Sequence, residues 1–439
     1  MKKASRLIAL IIAVAFILTS CGDPTAEYLR QGDTYYDQGQ FVEAIAEYTK
    51  AIERNPDLLV AYTHRGAVYN ARAEWDLAIA DLSKAIELDP GNSDNYQNRA
   101  FAYLAKEQFE PAIADLNKTV ELDPRAKLAY TNLSWLYVQR GEWDRAIANA
   151  DKAVQLDASD YDAFYNRGSA YFAKGDLPKA LADMDTTIKI NPNIAPAYTC
   201  RGKIGILTDN LTLAVAEFSK AIHIDPDTAE PYKFRGFVYV ALRNPDLAIG
   251  DLNKAVQMDD SDAMTYYYRG HLFNANGEFE RALDDLNRAI ALAPATSATA
   301  IPYDPFKYDM DGIYLERAIA YRGQQELTLA VADAKKAAEL NPNYARAQAT
   351  YGEMLLSNGD TEAALPVLNR AIELDPQMSE AYINRAVLWE VTAISTKNNH
   401  YYEFCAADLR KVIALGTDAE LVEQAKDAIR KMQSKGYIP

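Results

Sequence analysis

The chain carries 46 Lys and Arg, 62 Asp and Glu and four His, so spacing decides what chemistry these groups do. His64, His223, His271 and His400 lie far apart, without the short spacings that metal ligation uses. No HExxH, GxSxG, phosphate-binding or dinucleotide-binding glycine motif is present. The reading is therefore of a non-enzyme with no catalytic residue, cofactor or metal site. Two polar sets do recur at regular spacing. Arginine stands at Arg65, Arg99, Arg167, Arg201, Arg235, Arg269, Arg317 and Arg385. Each is matched downstream by an acid: Asp81, Asp115, Asp183, Glu217, Asp251, Asp285, Asp333 and Asp408. Where the series skips an Arg, at Leu133 and Tyr351, the acid is replaced as well, by Asn149 and Val367. Joint loss predicts contact, because an unpaired, partly buried charge is costly. The alternative is that the arginines receive an anionic ligand. The second set is Asn98, Asn132 and Asn166, with Asn384 near the end, whose carboxamides can each donate and accept a hydrogen bond.

A period of 34 residues keeps these sets in step. Alanine recurs at Ala44, Ala78, Ala112, Ala146, Ala180, Ala214, Ala248 and Ala282. A small residue recurs at Gly32, Gly66, Ala100, Ser134, Gly168, Gly202, Gly236 and Gly270, and proline at Pro56, Pro90, Pro124, Pro192, Pro226 and Pro294. Ala158 and Asp260 interrupt the proline column, which predicts looser packing there. Such a period specifies a solenoid of two-helix units, each packing only on its neighbours. Tyr62, Gly66 and Tyr69 share one face of a first helix. Ala78, Leu82 and Ala85 share a face of the second, and Asp89-Pro90-Gly91-Asn92 ends it.

This order of Tyr, Gly, Tyr, Ala, apolar, Ala and Pro resembles the tetratricopeptide repeat (TPR). The resemblance implies an all-α, right-handed α-α superhelical solenoid of about eleven units, closed by a C-terminal capping helix. Units 1–8 span 25–296, an inserted loop spans 297–310, units 9–11 span 311–417, and a capping helix and tail span 418–439. It further implies a concave groove lined by first helices, where peptide or protein partners bind. Asn98, Asn132 and Asn166 would bond an extended peptide backbone there, beside the aromatic residues Phe101, Trp135, Tyr165 and Phe172. The plainer alternative is that these asparagines fill polar positions and the rings pack the next unit. The basic clamp that some TPR grooves use for a C-terminal carboxylate is absent, since its places hold Thr63, Ala67, Asn98, Leu128 and Asn132. Only His64, Lys203 and Lys233 add positive charge nearby. Within the insertion, Tyr303, Phe306 and Tyr308 are either binding residues or an ordered plug. Asp309-Met310-Asp311-Gly312 has a faint likeness to a calcium loop, with too few ligands.

At the N-terminus, Lys2 and Lys3 precede an apolar run from Leu7 to Leu18. That run is too short to span a bilayer, which takes ~20 residues, and reads as an export signal over 1–20. Leu18-Thr19-Ser20-Cys21 resembles the bacterial lipobox, which implies a lipid-acylated (palmitate-type) Cys21 and a short tether over 21–24. Cys200 and Cys405 fall in distant units and read as packing residues without a disulfide. The net charge of -16 argues against nucleic acid as a partner. The whole pattern resembles a bacterial TPR lipoprotein. It predicts a scaffold held on the outer face of a cell membrane, or on an outer membrane, that binds extracytoplasmic proteins in its groove. The alternative is an envelope module that holds glycan or peptide substrate for a partner enzyme.

Overall fold

The structure, a computed structural model, describes residues 24–293 and 309–439. These form 23 α-helices, with no strand among the described residues. The chain groups into two compact bodies, residues up to Asn193 and residues from Ile194. The first body holds five helix pairs, from Pro24–Asp37 with Phe41–Arg54 to Tyr161–Ala173 with Leu177–Ile190. The second holds six pairs, from Ala195–Leu207 with Leu211–Ile224 to Ser379–Thr396 with Tyr401–Leu415, and then the helix Ala419–Ser434. Inside each body a helix packs on its partner in the pair and on the pair that follows. First helices of most neighbouring repeats also touch one another, and so make a layer of their own.

The small columns are small because helices cross there. The alanine column of the second helices, from Ala44 to Ala282, is fully buried. Opposite them, a Cβ added at Gly202 would lie 2.6 Å from the Phe218 ring, and one at Gly66 2.8 Å from Leu82 Cγ. Most second helices end on an Asp or Asn with extended-type backbone, such as Asp89 at φ -140 and ψ 95. Proline at the next position favours that conformation sterically. Yet Asp157 and Asp259, followed by Ala158 and Asp260, are equally extended. Their side chains hold the turn as they do at Asp89 and Asp123 before proline, with one further bond from a serine. Asp157 accepts from Ser159 N at 2.8 Å and Ser159 Oγ at 2.6 Å, and Asp259 accepts from both groups of Ser261 at 2.9 and 2.6 Å. The expected loosening at these two interruptions is therefore corrected: a serine hydroxyl adds a bond where the proline is missing.

The turn inside each repeat needs one residue at positive φ. Glycine meets this at Gly39, Gly141, Gly175, Gly277 and Gly359. Ala73, Glu107, Asp209, Arg243 and Gln325 take the same conformation at a steric cost. In the last repeat part of the additional sequence lengthens the first helix to Ser379–Thr396, and Lys397 turns the chain at φ 54. The likeness to a calcium loop does not survive: Asp309 stands at the N-cap position of the helix Met310–Gly323, and Asp311 is buried and accepts from Asn341 Nδ2 at 3.1 Å. Cys21 and the aromatic residues Tyr303, Phe306 and Tyr308 lie outside the described residues.

Candidate functional site: the first-helix face

Before a face can bind anything it must be held in register, and the arginines do this. Nε and Nη2 of Arg65 donate to both oxygens of Asp81 at 2.7 and 2.9 Å. The same two-pronged geometry joins Arg99 to Asp115, Arg167 to Asp183, Arg235 to Asp251, Arg269 to Asp285, Arg317 to Asp333 and Arg385 to Asp408. Arg201 meets Glu217 at 2.6 Å. The third nitrogen, Nη1, reaches out of the repeat to the preceding one. It donates to Thr49, Ser83, Asp151, Ser219, Asn253, Asn287 and Asn369 for Arg65, Arg99, Arg167, Arg235, Arg269, Arg317 and Arg385 respectively. At these seven places the ladder ties a repeat to its neighbour as well as its own two helices. Aromatic rings flank the cation: Arg99 lies 5.9 Å from the Tyr96 centroid and 5.8 Å from that of Tyr103. Seven of these guanidinium groups thus use Nε, Nη1 and Nη2 inside the fold, with the cation facing its paired aspartate.

On the first-helix face of the N-terminal body, Phe101 is 53% exposed and Trp135 38%. They occupy the same place in consecutive repeats. Phe101 meets the Trp75 ring edge-on at 5.8 Å, and Trp135 meets Phe109 likewise at 5.9 Å. Each ring therefore leans on the preceding repeat and leaves the rest of its surface to solvent. Asn98 and Asn132 precede them by three residues, are half-buried, and have no hydrogen bond to their carboxamides within the described residues. Asn70 Nδ2 holds the Asn98 carbonyl oxygen at 2.9 Å, which fixes the backbone beneath that group. Asn166 is different and corrects the expected run of three. It is buried, and its Nδ2 donates to Ser134 Oγ at 2.9 Å and Thr131 O at 3.3 Å, so its amide group is spent inside the packing. Tyr165 and Phe172 are half-buried, as is Asn384 in the last repeat.

The same face of the C-terminal body is charged and self-paired. The amines of Lys203 and Lys233 lie 4.7 and 5.3 Å from the Phe234 centroid, and these lysines pair with Glu230 and Asp262 of the following repeats. Arg322 pairs with Glu353. Between them, His271 Nδ1 lies 3.0 Å from Glu316 Oε1, and Asn274 Nδ2 donates to both Glu316 O at 2.7 Å and Oε2 at 3.0 Å. The hydrogen bond to Glu316 raises the His271 imidazole above its usual value against the opposing effect of burial. Burial alone would raise the Glu316 carboxyl, but His271 and Asn274 bring it below the ordinary range. Glu316 was not singled out from sequence, since one acid among 62 carries no mark until its histidine partner is in place. Cys200 and Cys405 are buried, and burial pushes both thiols up to about 12. Among the described residues no group of three or more His, Cys, Asp or Glu could hold a metal ion, and no helix is long and apolar enough to cross a membrane.

Family models of the tetratricopeptide repeat match residues 131–193, 236–296 and 315–379, with further matches at 32–72 and 82–114. Together they cover more than half of the chain, which therefore belongs to the tetratricopeptide-repeat family. No curated protein matches it. Among solved structures, a tetratricopeptide repeat protein from Parabacteroides merdae is 20% identical, with a TM-score of 0.44, over 54% of this chain and 94% of that one. The complex Cut9-Hcn1 matches over 94% of this chain and 98% of that one, at 13% identity and a TM-score of 0.47. YrrB, described as a TPR protein with an unusual peptide-binding site, is 19% identical with a TM-score of 0.33, over 53% and 95%. These likenesses reach no further than the fold.

Proposed function

We propose that this chain is a non-enzymatic, membrane-anchored scaffold that binds proteins outside the cytoplasm through its first-helix face. Family membership supports the scaffold, because helical repeats of this kind bury their constant residues against each other and leave the first helices to recognise a partner. One observation carries the location: Phe101 and Trp135 stand exposed in register, each three residues from an unengaged carboxamide. Rigid aromatic groups beside adaptable amides suit a peptide, with the rings supplying apolar contact and the amides meeting backbone groups. Asn166 takes no part. The test is affinity recovery of partners from the native cells with the wild-type chain and with a Phe101→Ala/Trp135→Ala variant. The reading expects specific partners that the variant loses at unchanged thermal stability, and it fails if the variant recovers the same proteins.

The anchor rests on Lys2 and Lys3, the apolar run and the Leu18-Thr19-Ser20-Cys21 ending. A thioether-linked diacyl group on Cys21 would hold the chain stably at a bilayer surface, at about 0.8 kcal/mol per buried CH₂. Metabolic labelling with a palmitate analogue, followed by membrane fractionation, tests this. Label and sedimentation should both be lost in Cys21→Ala; a Cys21→Ala chain that stays labelled and sediments with membranes contradicts it.

A further inference from the structure

A cavity near the C-terminal end has no role in the ladder or the aromatic face. It measures about 520 Å³ and lies between the first helix of the last repeat, Ser379–Thr396, and the terminal helix, Ala419–Ser434. Ile383, Val387 and Ile394 form one wall, and Leu409 and Met432 extend the apolar lining. Its apolar surface does not stop at the cavity. Val387, Val391 and Ile394 are 44%, 43% and 63% exposed, at a spacing of four and then three residues along one helix. That helix has 18 residues where the other first helices have 13 or 14, and its added turns carry the end of this stripe. An unpartnered stripe at helical spacing that runs into a cavity is the imprint of another helix.

Charge states which helix. The chain is strongly acidic overall, yet the mouth carries Lys431 and Lys435. Their neighbours Lys426 and Arg430 are neutralised by Glu423 and Asp427, whereas Lys431 and Lys435 have no ion pair among the described residues. Glu390, on the opposite wall, is equally unpaired. We infer that this end of the chain is a docking site for an amphipathic helix of a partner protein. That helix lays an apolar stripe over Val387, Val391 and Ile394, sets one large apolar side chain in the cavity, and turns an acidic flank toward Lys431 and Lys435. The inference rests on the scaffold reading but names a second surface, separate from Phe101 and Trp135.

The experiment uses the mature chain and a synthetic amphipathic helix with a leucine stripe and glutamates along one flank. A second peptide has its leucines changed to glutamine, and palmitate and anionic phospholipid vesicles serve as lipid probes. Binding is read by fluorescence anisotropy of labelled peptide, with circular dichroism confirming that each variant folds. The leucine peptide should bind and the glutamine peptide should not. Val387→Asp/Ile394→Asp should weaken binding at least about tenfold, the scale of removing a buried apolar anchor. Lys431→Glu/Lys435→Glu should weaken it several-fold in low salt, with the difference shrinking in high salt. All four positions are exposed, so the substitutions leave the core intact. Phe101→Ala/Trp135→Ala should bind the peptide like wild type, which separates this site from the other face. Absence of peptide binding, equal binding by all variants, or binding of palmitate or vesicles in place of the peptide would overturn the inference.

Discussion

Replacing Arg99 with Leu would leave Asp115, whose side chain is only 7% exposed, without its cation. Arg99 makes two bonds to Asp115 at 2.7 and 2.8 Å and one to Ser83 at 2.9 Å. Breaking a buried pair by removing one partner costs about 3–5 kcal/mol. Arg99 is itself 19% exposed, so water enters the gap and lowers the expected cost to about 2–4 kcal/mol. The fourth repeat shows the remedy, with Leu133 and Asn149 in the two places. Arg99→Leu/Asp115→Asn copies it and removes the stranded charge, so the double variant should lose only about 1 kcal/mol. Native-state hydrogen exchange over Ser93–Ala105 and Phe109–Leu122 reads the local opening free energy without assuming that a repeat array unfolds all at once. Protection in the preceding helix Trp75–Leu88 should fall too, since Ser83 loses its donor. Additive single costs, with a double variant as unstable as their sum, would refute the coupling.

The close approach at the small column predicts a graded response. Gly202→Ala drives a Cβ into the Phe218 ring and should cost about 1–3 kcal/mol in urea unfolding, whereas Gly66→Ala meets a movable Leu82 and should cost less. At the inner turns, Glu107→Gly should stabilise by up to about 1 kcal/mol, because Glu107 sits at φ 57, while Gly141→Ala should destabilise. The His271–Glu316 pair predicts a pH response. A raised imidazole stabilises fully below its ordinary 6.5, and this contribution fades as pH rises through the folded value; the lowered Glu316 carboxyl loses its share only on acidification below its ordinary 4.5. Hydrogen exchange in Ala263–Ala275 and Met310–Gly323, corrected for intrinsic rates, should therefore show weaker protection at pH 8.5 than at pH 6. His271→Gln should abolish that difference; a pH effect that survives the substitution would contradict the pairing.

The fold could be read from the chain because each repeat repeats its own evidence. Alanine and glycine columns, Asx-Pro stops and Arg–acid columns are local or nearest-neighbour features, and a 34-residue spacing exposes all of them. The link from seven of the arginines to the preceding repeat was not read from the sequence. Thr49, Ser83, Ser219, Asn253 and Asn369 form a polar column, but its residue types vary because any acceptor satisfies Nη1. Asn166 misled because it shares a column with Asn98 and Asn132. What sets it apart is Ser134, which stands where other repeats have Gly or Ala and captures its amide. Glu316 and the cavity beside Ile394 depend on how successive repeats abut, and a period describes only what repeats stay constant in.

The central claim is that partners meet the face bearing Phe101 and Trp135. Its most direct test places the photocrosslinker benzoylphenylalanine singly at Phe101, Trp135 and, as controls on second helices, Lys118 and Glu121, in the native cells. The account predicts discrete protein adducts from Phe101 and Trp135, absent from both controls and diminished by Asn98→Ala/Asn132→Ala. Adducts at the controls alone, or equal adducts at all four positions, would contradict it.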